Sequence, residues 1–391
     1  MVALAEAKVG DTRAGFGLLA FASLGLAAIF AALGGIYWDV TWHAMIGRES
    51  FWIPPHLFVY SGVGVLLFSA LGGVAWAWRR AGSLRVALAG SVGAGFAVAA
   101  LGPAVQMAAA PLDDAWHRAY GLDVTIWSPP HLTGIVGGMV AIYGLLGALG
   151  ANLDGARGAA GFGASAGPAR PLWRGVSRGE ALGLLLFGAA LSLSLFALGE
   201  FDFHLGGRDE LFYPMLAGVL AAVPLMGAAR YFGRPGAATA VALVYVLFRS
   251  SALLVVLAMG SYEHLTPPVF VLAPALAIDL ALWLTAGRGV LPAALLAGPA
   301  LVAGEWGLRV LLGAQGWEPL RVFASLAVVT LVAAAGALAG DRLGALMRPG
   351  PVAARRREDL GGRPGVAGGD SGNSVDALTS TPGPKDHGGS A

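Results

Sequence analysis

Two stretches of this chain carry the same set of reactive side chains in the same order: WDVTWHAMIGRESFWIPPH at 38–56 and LDDAWHRAYGLDVTIWSPPH at 112–131. Asp39, Trp42 and His43 correspond to Asp113, Trp116 and His117 at an offset of 74, and Pro54, Pro55 and His56 to Pro129, Pro130 and His131 at an offset of 75. In each copy the acid precedes the first histidine by four positions, so a helical turn sets both on one face. The diproline then opens the next helix, where a missing N–H costs nothing, and delivers the second histidine into its first turn. Two imidazoles converging beside a carboxylate form a metal-binding set, because a neutral imidazole ligates through one nitrogen while an acceptor fixes the other. Asp39 and Asp113 are therefore read as direct ligands or as acceptors that orient the histidines. The competing reading is a pair of interfacial caps in an aromatic belt of Trp38, Trp42, Trp52, Trp116 and Trp127; it explains the tryptophans but does not require two acid–histidine pairs.

Two later loops vary the theme. GEFDFHLGGRDELFYP, at 199–214, keeps Glu200 four positions before His204 with Asp202 between them, and SYEHLTPP, at 261–268, sets Glu263 beside His264 ahead of a diproline. The candidate metal ligands are thus His43, His56, His117, His131, His204 and His264. Asp39, Asp113, Glu200, Asp202 and Glu263 are the carboxylates that hold ligands or transfer protons. The seventh histidine, His387, lies in the C-terminal tail.

Imidazole-dominated sets suit copper or iron, and zinc fits the same donors, whereas magnesium and calcium prefer oxygen. A bis-histidine haem also fits, although no C-x-x-C-H attachment signal is present. The chain has no cysteine, which excludes disulfides, thiolate metal sites and cysteine nucleophiles. No compact H-E-x-x-H sequence, phosphate-binding glycine loop or nucleophile elbow is present.

The elements that position these residues are apolar. Of 391 residues 57% are hydrophobic and only 12% charged, and the mean hydropathy is +0.70, far from the roughly one-quarter charged content of ordinary soluble proteins. Apolar stretches recur at 15–37, 57–78, 86–110, 132–150, 181–199, 211–229, 237–260, 269–287, 290–308 and 321–340, most of them near the roughly 20 residues that cross hydrocarbon. The pattern predicts an all-α polytopic helical membrane bundle of about ten transmembrane helices. The 60 glycines follow no collagen period and suit close helix packing.

Arginine placement orients this bundle. Arg79, Arg80, Arg85, Arg157, Arg170, Arg174, Arg178, Arg230, Arg234 and Arg288 fall between helices on one side, against Arg48, Arg118, Arg208, Arg309 and Arg321 on the other. The positive-inside bias predicts a multi-pass cell-membrane protein with both termini cytoplasmic and all six histidines of the membrane region at the outer face. The expected organisation is a four-helix region at 1–150 with the repeated loops, a small-residue cytoplasmic linker at 151–179, a six-helix region at 180–348 and a disordered cytoplasmic tail at 349–391. A formal charge of +2 with scattered arginines argues against nucleic acid as a partner; membrane lipids, a lipid-soluble substrate and a membrane-protein subunit fit better.

Charges within the apolar stretches offer a second focus. Counted from the loop at 261–268, Arg249 and Asp279 fall at equal depth, about 16 Å in, and are expected to pair. Glu305 and Arg309, four apart, are expected to share a face, and Gln106 follows a helix-distorting Gly102-Pro103. The leading expectation is a membrane metal- or redox-cofactor-binding protein, an oxidoreductase first among its activities. A transporter gated by Arg249–Asp279 and a membrane scaffold or assembly subunit are the alternatives.

Overall fold

A computed structural model describes residues 12–47, 50–121, 125–153, 171–199, 201, 209–258, 268–312 and 317–348. The tail, most of the linker, and Glu200, Asp202, His204, Glu263 and His264 lie outside them. The fold is all-α: α1 (Thr12–Met45), α2 (Pro54–Ala81), α3 (Leu84–Ala89), α4 (Ser91–Tyr120), α5 (Pro129–Leu153), α6 (Arg178–Phe196), α7 (Phe212–Phe232), α8 (Ala237–Ala258), α9 (Leu272–Leu284), α10 (Val290–Leu311) and α11 (Pro319–Met347). Among the described residues nine helices are long and apolar enough to cross a membrane, and the chain is a multi-pass helical membrane bundle.

The first half is two antiparallel hairpins, α1–α2 and α4–α5, closed into a ring because α2 also packs on α4 and α1 on α5. The sequence duplication extends far below the loops. Gly62 of α2 lies against Ala28 and Ala32 of α1, and Gly137 of α5 lies against Gly102 and Gln106 of α4, the same offsets of 75 and 74 that relate the loops. On α1 the packed stripe climbs through positions 28, 32 and 35 to Asp39 and His43; on α4 it climbs through 102, 106 and 109 to Asp113 and His117. The face that glues each hairpin together therefore ends in its acid and its first histidine. α1 and α4 run on to 45 and 120, well past the apolar limits at 37 and 110, so both acid–histidine pairs sit on regular helix.

Glycine is required where these backbones touch. A Cβ on Gly102 would collide with the Gly137 carbonyl and Ala141, and one on Gly144 with Ala99, whereas Gly147 faces open space. Gly102→Leu is expected to lower stability by about 1–3 kcal/mol through overpacking. A thermal melt of the detergent-solubilised protein should show the loss, with Gly147→Ala leaving the midpoint in place.

α6 is the central post, contacting α1, α5, α7 and α8. It is buried almost all round, as a helix apolar on every face must be. α7 packs along α11, and α10 sits beside both.

The eighth expected span departs from a full crossing. α9 has only 13 residues, about 20 Å of helix against about 30 Å of hydrocarbon. The chain reaches it as non-helical backbone at 268–270, permissible at depth only where protein groups replace water. Here they do: Val269 N–H donates to Tyr245 Oη (3.1 Å) and Phe270 N–H to the buried Glu305 carboxylate (2.6 Å).

This descent moves Asp279 away from its expected level. Its carboxylate accepts from Thr239 N–H (2.8 Å), Thr239 Oγ1 (2.7 Å) and Ala238 N–H (3.3 Å), capping the start of α8. Arg249 stands ten residues further along α8, about 15 Å away, with its guanidinium 5.0 Å from the centre of the Tyr37 ring. The structure does not bring Arg249 and Asp279 together. Equal depth presumed that α9 began at the membrane surface, and it begins well inside. Glu305 likewise takes Phe270 N–H and Tyr213 Oη (3.4 Å), while Arg309 lies over Trp317.

Candidate metal centre

Each hairpin closes its loop end with one triad of donors. In the first, Asp39 Oδ1 lies 3.5 Å from His43 Nε2 and 3.1 Å from His56 Nε2. In the second, Asp113 Oδ1 lies 3.5 Å from His117 Nε2 and 3.0 Å from His131 Nε2. The two sets agree within 0.1 Å although their loops differ by one residue.

The local folding that aims these groups is also duplicated. α2 opens with Pro54 and Pro55 after an extended Ile53, and α5 opens with Pro129 and Pro130 after Ser128, whose hydroxyl accepts from His131 N–H (3.4 Å). Each second histidine then turns Nδ1 to a loop carbonyl: His56 to Phe51 (3.0 Å) and His131 to Thr125 (3.1 Å). A carbonyl only accepts, so Nδ1 carries the proton and Nε2 of the neutral ring keeps its lone pair. That lone pair faces a carboxylate oxygen. Two electron-rich atoms about 3 Å apart repel unless a cation, a proton or a metal ion, lies between them. This is the tautomer-fixing second contact that histidine ligands characteristically make.

The spacing fits a metal. Two donors each about 2.0–2.2 Å from one ion, at right or tetrahedral angles, lie roughly 3.0–3.5 Å apart, and in each triad all three donor atoms fall within 4.8 Å of one another. The protein thus holds two His/Asp clusters capable of coordinating a metal ion. His56 and His117 are nearly enclosed, whereas the His43 and His131 side chains keep 27% and 34% of their surface, leaving each triad one approachable edge.

No protein-family model, curated protein or solved structure matches this chain. The functional reading therefore rests on the centre itself and on what surrounds it.

The two triads are neighbours. The His43 and His117 rings stack with centroids 6.3 Å apart and planes inclined by 14°. His56 flanks His43 at 5.9 Å and His131 flanks His117 at 6.0 Å, so four imidazoles form a continuous row. Asp114, next to Asp113, takes no part and pairs with Arg118 one turn on.

The second half of the chain buttresses this centre. Trp127, in the loop that supplies the Thr125 carbonyl, donates its indole N–H to Ala197 O at the end of α6 (2.8 Å) and packs on Phe201. Phe201 in turn meets Tyr213, whose hydroxyl reaches Glu305. Behind the first triad, Tyr37 packs edge-on against Phe196 and carries the Arg249 guanidinium.

Of the six histidines expected at the outer face, the structure brings four together; His204 and His264 lie outside the described residues, so their distance from the row is not part of the geometry. Sequence reasoning did not find the carbonyls of Phe51 and Thr125, since any residue type supplies a carbonyl. It also did not find the stack between the hairpins. The repeat of the α1–α2 seam in α4–α5 signals that the two hairpins are alike, but it does not say that they face each other.

Proposed function

We propose that the protein is a membrane oxidoreductase that binds copper or iron at its two Asp–His–His triads and acts on a lipid-soluble substrate reaching the outer end of the bundle. The observation that carries this is the twice-built donor set, in which a protonated Nδ1 locked on a backbone carbonyl leaves Nε2 facing a carboxylate. Three protein ligands leave coordination positions open, as in catalytic rather than closed structural sites. Copper or iron bound there supplies one-electron exchange.

The chain's own groups do the rest. Asp39 and Asp113 offset cationic charge in an enclosed setting, the loop carbonyls hold the rings in one tautomer, and the approachable edges at His43 and His131 admit substrate. Trp38, Trp42, Trp116 and Trp127 around the opening are amphipathic side chains suited to the headgroup level. Arg178, Arg230, Arg234, Arg288 and Arg348 belong to the opposite helix ends, which supports a cytoplasmic assignment for that end and an extracytoplasmic one for the triads. A transporter gated by Arg249 and Asp279 has less support, because Asp279 is engaged at the start of α8.

Elemental analysis of protein purified without chelators from cells grown with ample metal should find close to two equivalents of copper or iron, with a paramagnetic signal that changes on reduction. Zinc as the sole metal, or a metal content that survives alanine at His43, His56, His117 and His131 together, would sink the redox reading.

A further inference from the structure

Nothing in a duplicated sequence requires its two copies to act on one another; they could close opposite corners of a bundle. Here α2 packs on α4 and α1 on α5, and the ring so formed turns both acid–histidine faces inward. The first histidines of the two copies, His43 and His117, become the inner members of the four-ring row and stack nearly parallel at 6.3 Å. An ion on Nε2 lies roughly 3.3 Å from the centre of the ring that binds it. Ions at the two triads are therefore no more than about 13 Å apart, whatever the direction of each bond. His56 and His117 are buried, and the interior between them screens charge far less than water.

We propose that the two triads are one paired metal centre, in which the ions interact directly across the His43–His117 stack and occupancy of either triad weakens binding at the other. The proposal rests on the metal reading above and adds what that reading leaves open, namely that the sites are interdependent. A divalent ion with one carboxylate leaves each loaded triad with one net positive charge. Filling one triad changes its charge from −1 to +1 and the incoming ion carries +2, so the coupling is four unit-charge interactions: at about 10 Å this is about 1.7 kcal/mol even with water-like screening, which lowers the second affinity by tenfold or more. Loading is then sequential: the first ion binds tightly and the second only when metal is plentiful. A singly loaded protein has one filled triad beside an empty, charge-balancing carboxylate.

Copper(II) is the suitable probe, because it binds nitrogen and oxygen donors most tightly of the common divalent ions and is paramagnetic. The full-length protein in lipid nanodiscs would be titrated against a competing chelator, with frozen-solution paramagnetic resonance recorded at one and two equivalents. His56→Ala and His131→Ala each disable one triad while leaving the stacked pair in place, and His56→Gln and His131→Gln serve if the alanine proteins fail to fold. The wild type should take up two coppers with affinities separated by tenfold or more, and its second equivalent should broaden the signal by dipolar coupling. Each single-triad variant should bind one copper, give a sharp signal, and bind at its remaining triad at least tenfold more tightly than that triad does beside a filled neighbour. Two coppers with the summed spectra of the single-triad variants, and with the same affinities as in those variants, would overturn the pairing while leaving the metal reading intact. Copper uptake unaffected by either substitution would overturn the metal reading, and the pairing with it.

Discussion

Asp113→Ala is expected to weaken metal binding at its triad by about a hundredfold to several hundredfold, while Asp114→Ala, one residue away, leaves it unchanged. Asp113 is the triad's only anionic donor, and a single oxygen, Oδ1, faces both imidazoles, at 3.5 Å and 3.0 Å. Four-ligand zinc sites that fold with their metal derive about 10–16 kcal/mol from binding, so one ligand accounts for about 2.5–4 kcal/mol, on the order of a hundredfold to several hundredfold in affinity. Asp114 reaches instead to Arg118, whose side chain is 78% exposed, and surface pairs of that kind contribute about 0–1 kcal/mol. Chelator competition on the two purified variants separates the outcomes. Equal affinities would mean that the carboxylate orients the histidines without ligating. Asp39→Ala should repeat the Asp113 result at the first triad, since its distances are nearly the same.

That contrast between neighbouring acids was legible in the sequence, because only Asp113 aligns with Asp39 when the two histidine segments are superposed. The i, i+4 spacing and the diproline fix what each segment does locally, and the structure places both triads as those rules require. Local rules do not say which helix faces which. The approach of His43 to His117 depends on α1–α2 and α4–α5 closing a ring, and the small residues at those contacts, such as Gly73 against Phe96 and Gly25 against Leu145, look like any others in a chain with 60 glycines.

Depth was the less legible quantity. Counting residues from a loop assumes that helix begins where apolar sequence begins. That holds for α8 and α10 and fails for α9, where 268–270 is non-helical backbone. No hydropathy window separates a buried non-helical segment from a buried helix. The partners that make the descent tolerable, Tyr245 and Glu305, belong to other helices. Asp279 consequently caps α8 instead of meeting Arg249. A different signal was present and unused: Ser177-x-x-Glu180 is a capping-box sequence, and it marks the true start of α6 at Arg178.

The same Glu180 anchors the bundle's other end, where the largest loss of stability is expected. Its Oε2 takes Ser177 N–H (2.8 Å) and hydroxyl (2.9 Å), and its Oε1 takes Arg234 Nη1 (2.7 Å). The other terminal nitrogen of Arg234 donates to the carbonyls of Pro171 and Gly175, both at 2.9 Å. One guanidinium thereby joins the turn before α6, the first turn of α6 and the α7–α8 connection. The pair is buried, with the side chains only 6% and 3% exposed, so neither charge has water to fall back on. Removing one partner of a buried pair costs about 3–5 kcal/mol, chiefly because the survivor remains charged and enclosed, whereas replacing both with apolar groups of similar volume is often neutral. Arg234→Met is therefore expected to lower stability by about 3–5 kcal/mol, and Glu180→Leu with Arg234→Met to regain most of that loss. Thermal melts of the three proteins decide the matter: a double variant no better than Arg234→Met would assign the stabilisation to the contacts that the double change does not restore, those of Arg234 to the Pro171 and Gly175 carbonyls and of Glu180 to Ser177. Metal affinity at the triads should be the same in every folded member of the set, because the clamp and the histidine row stand at opposite ends of the helices.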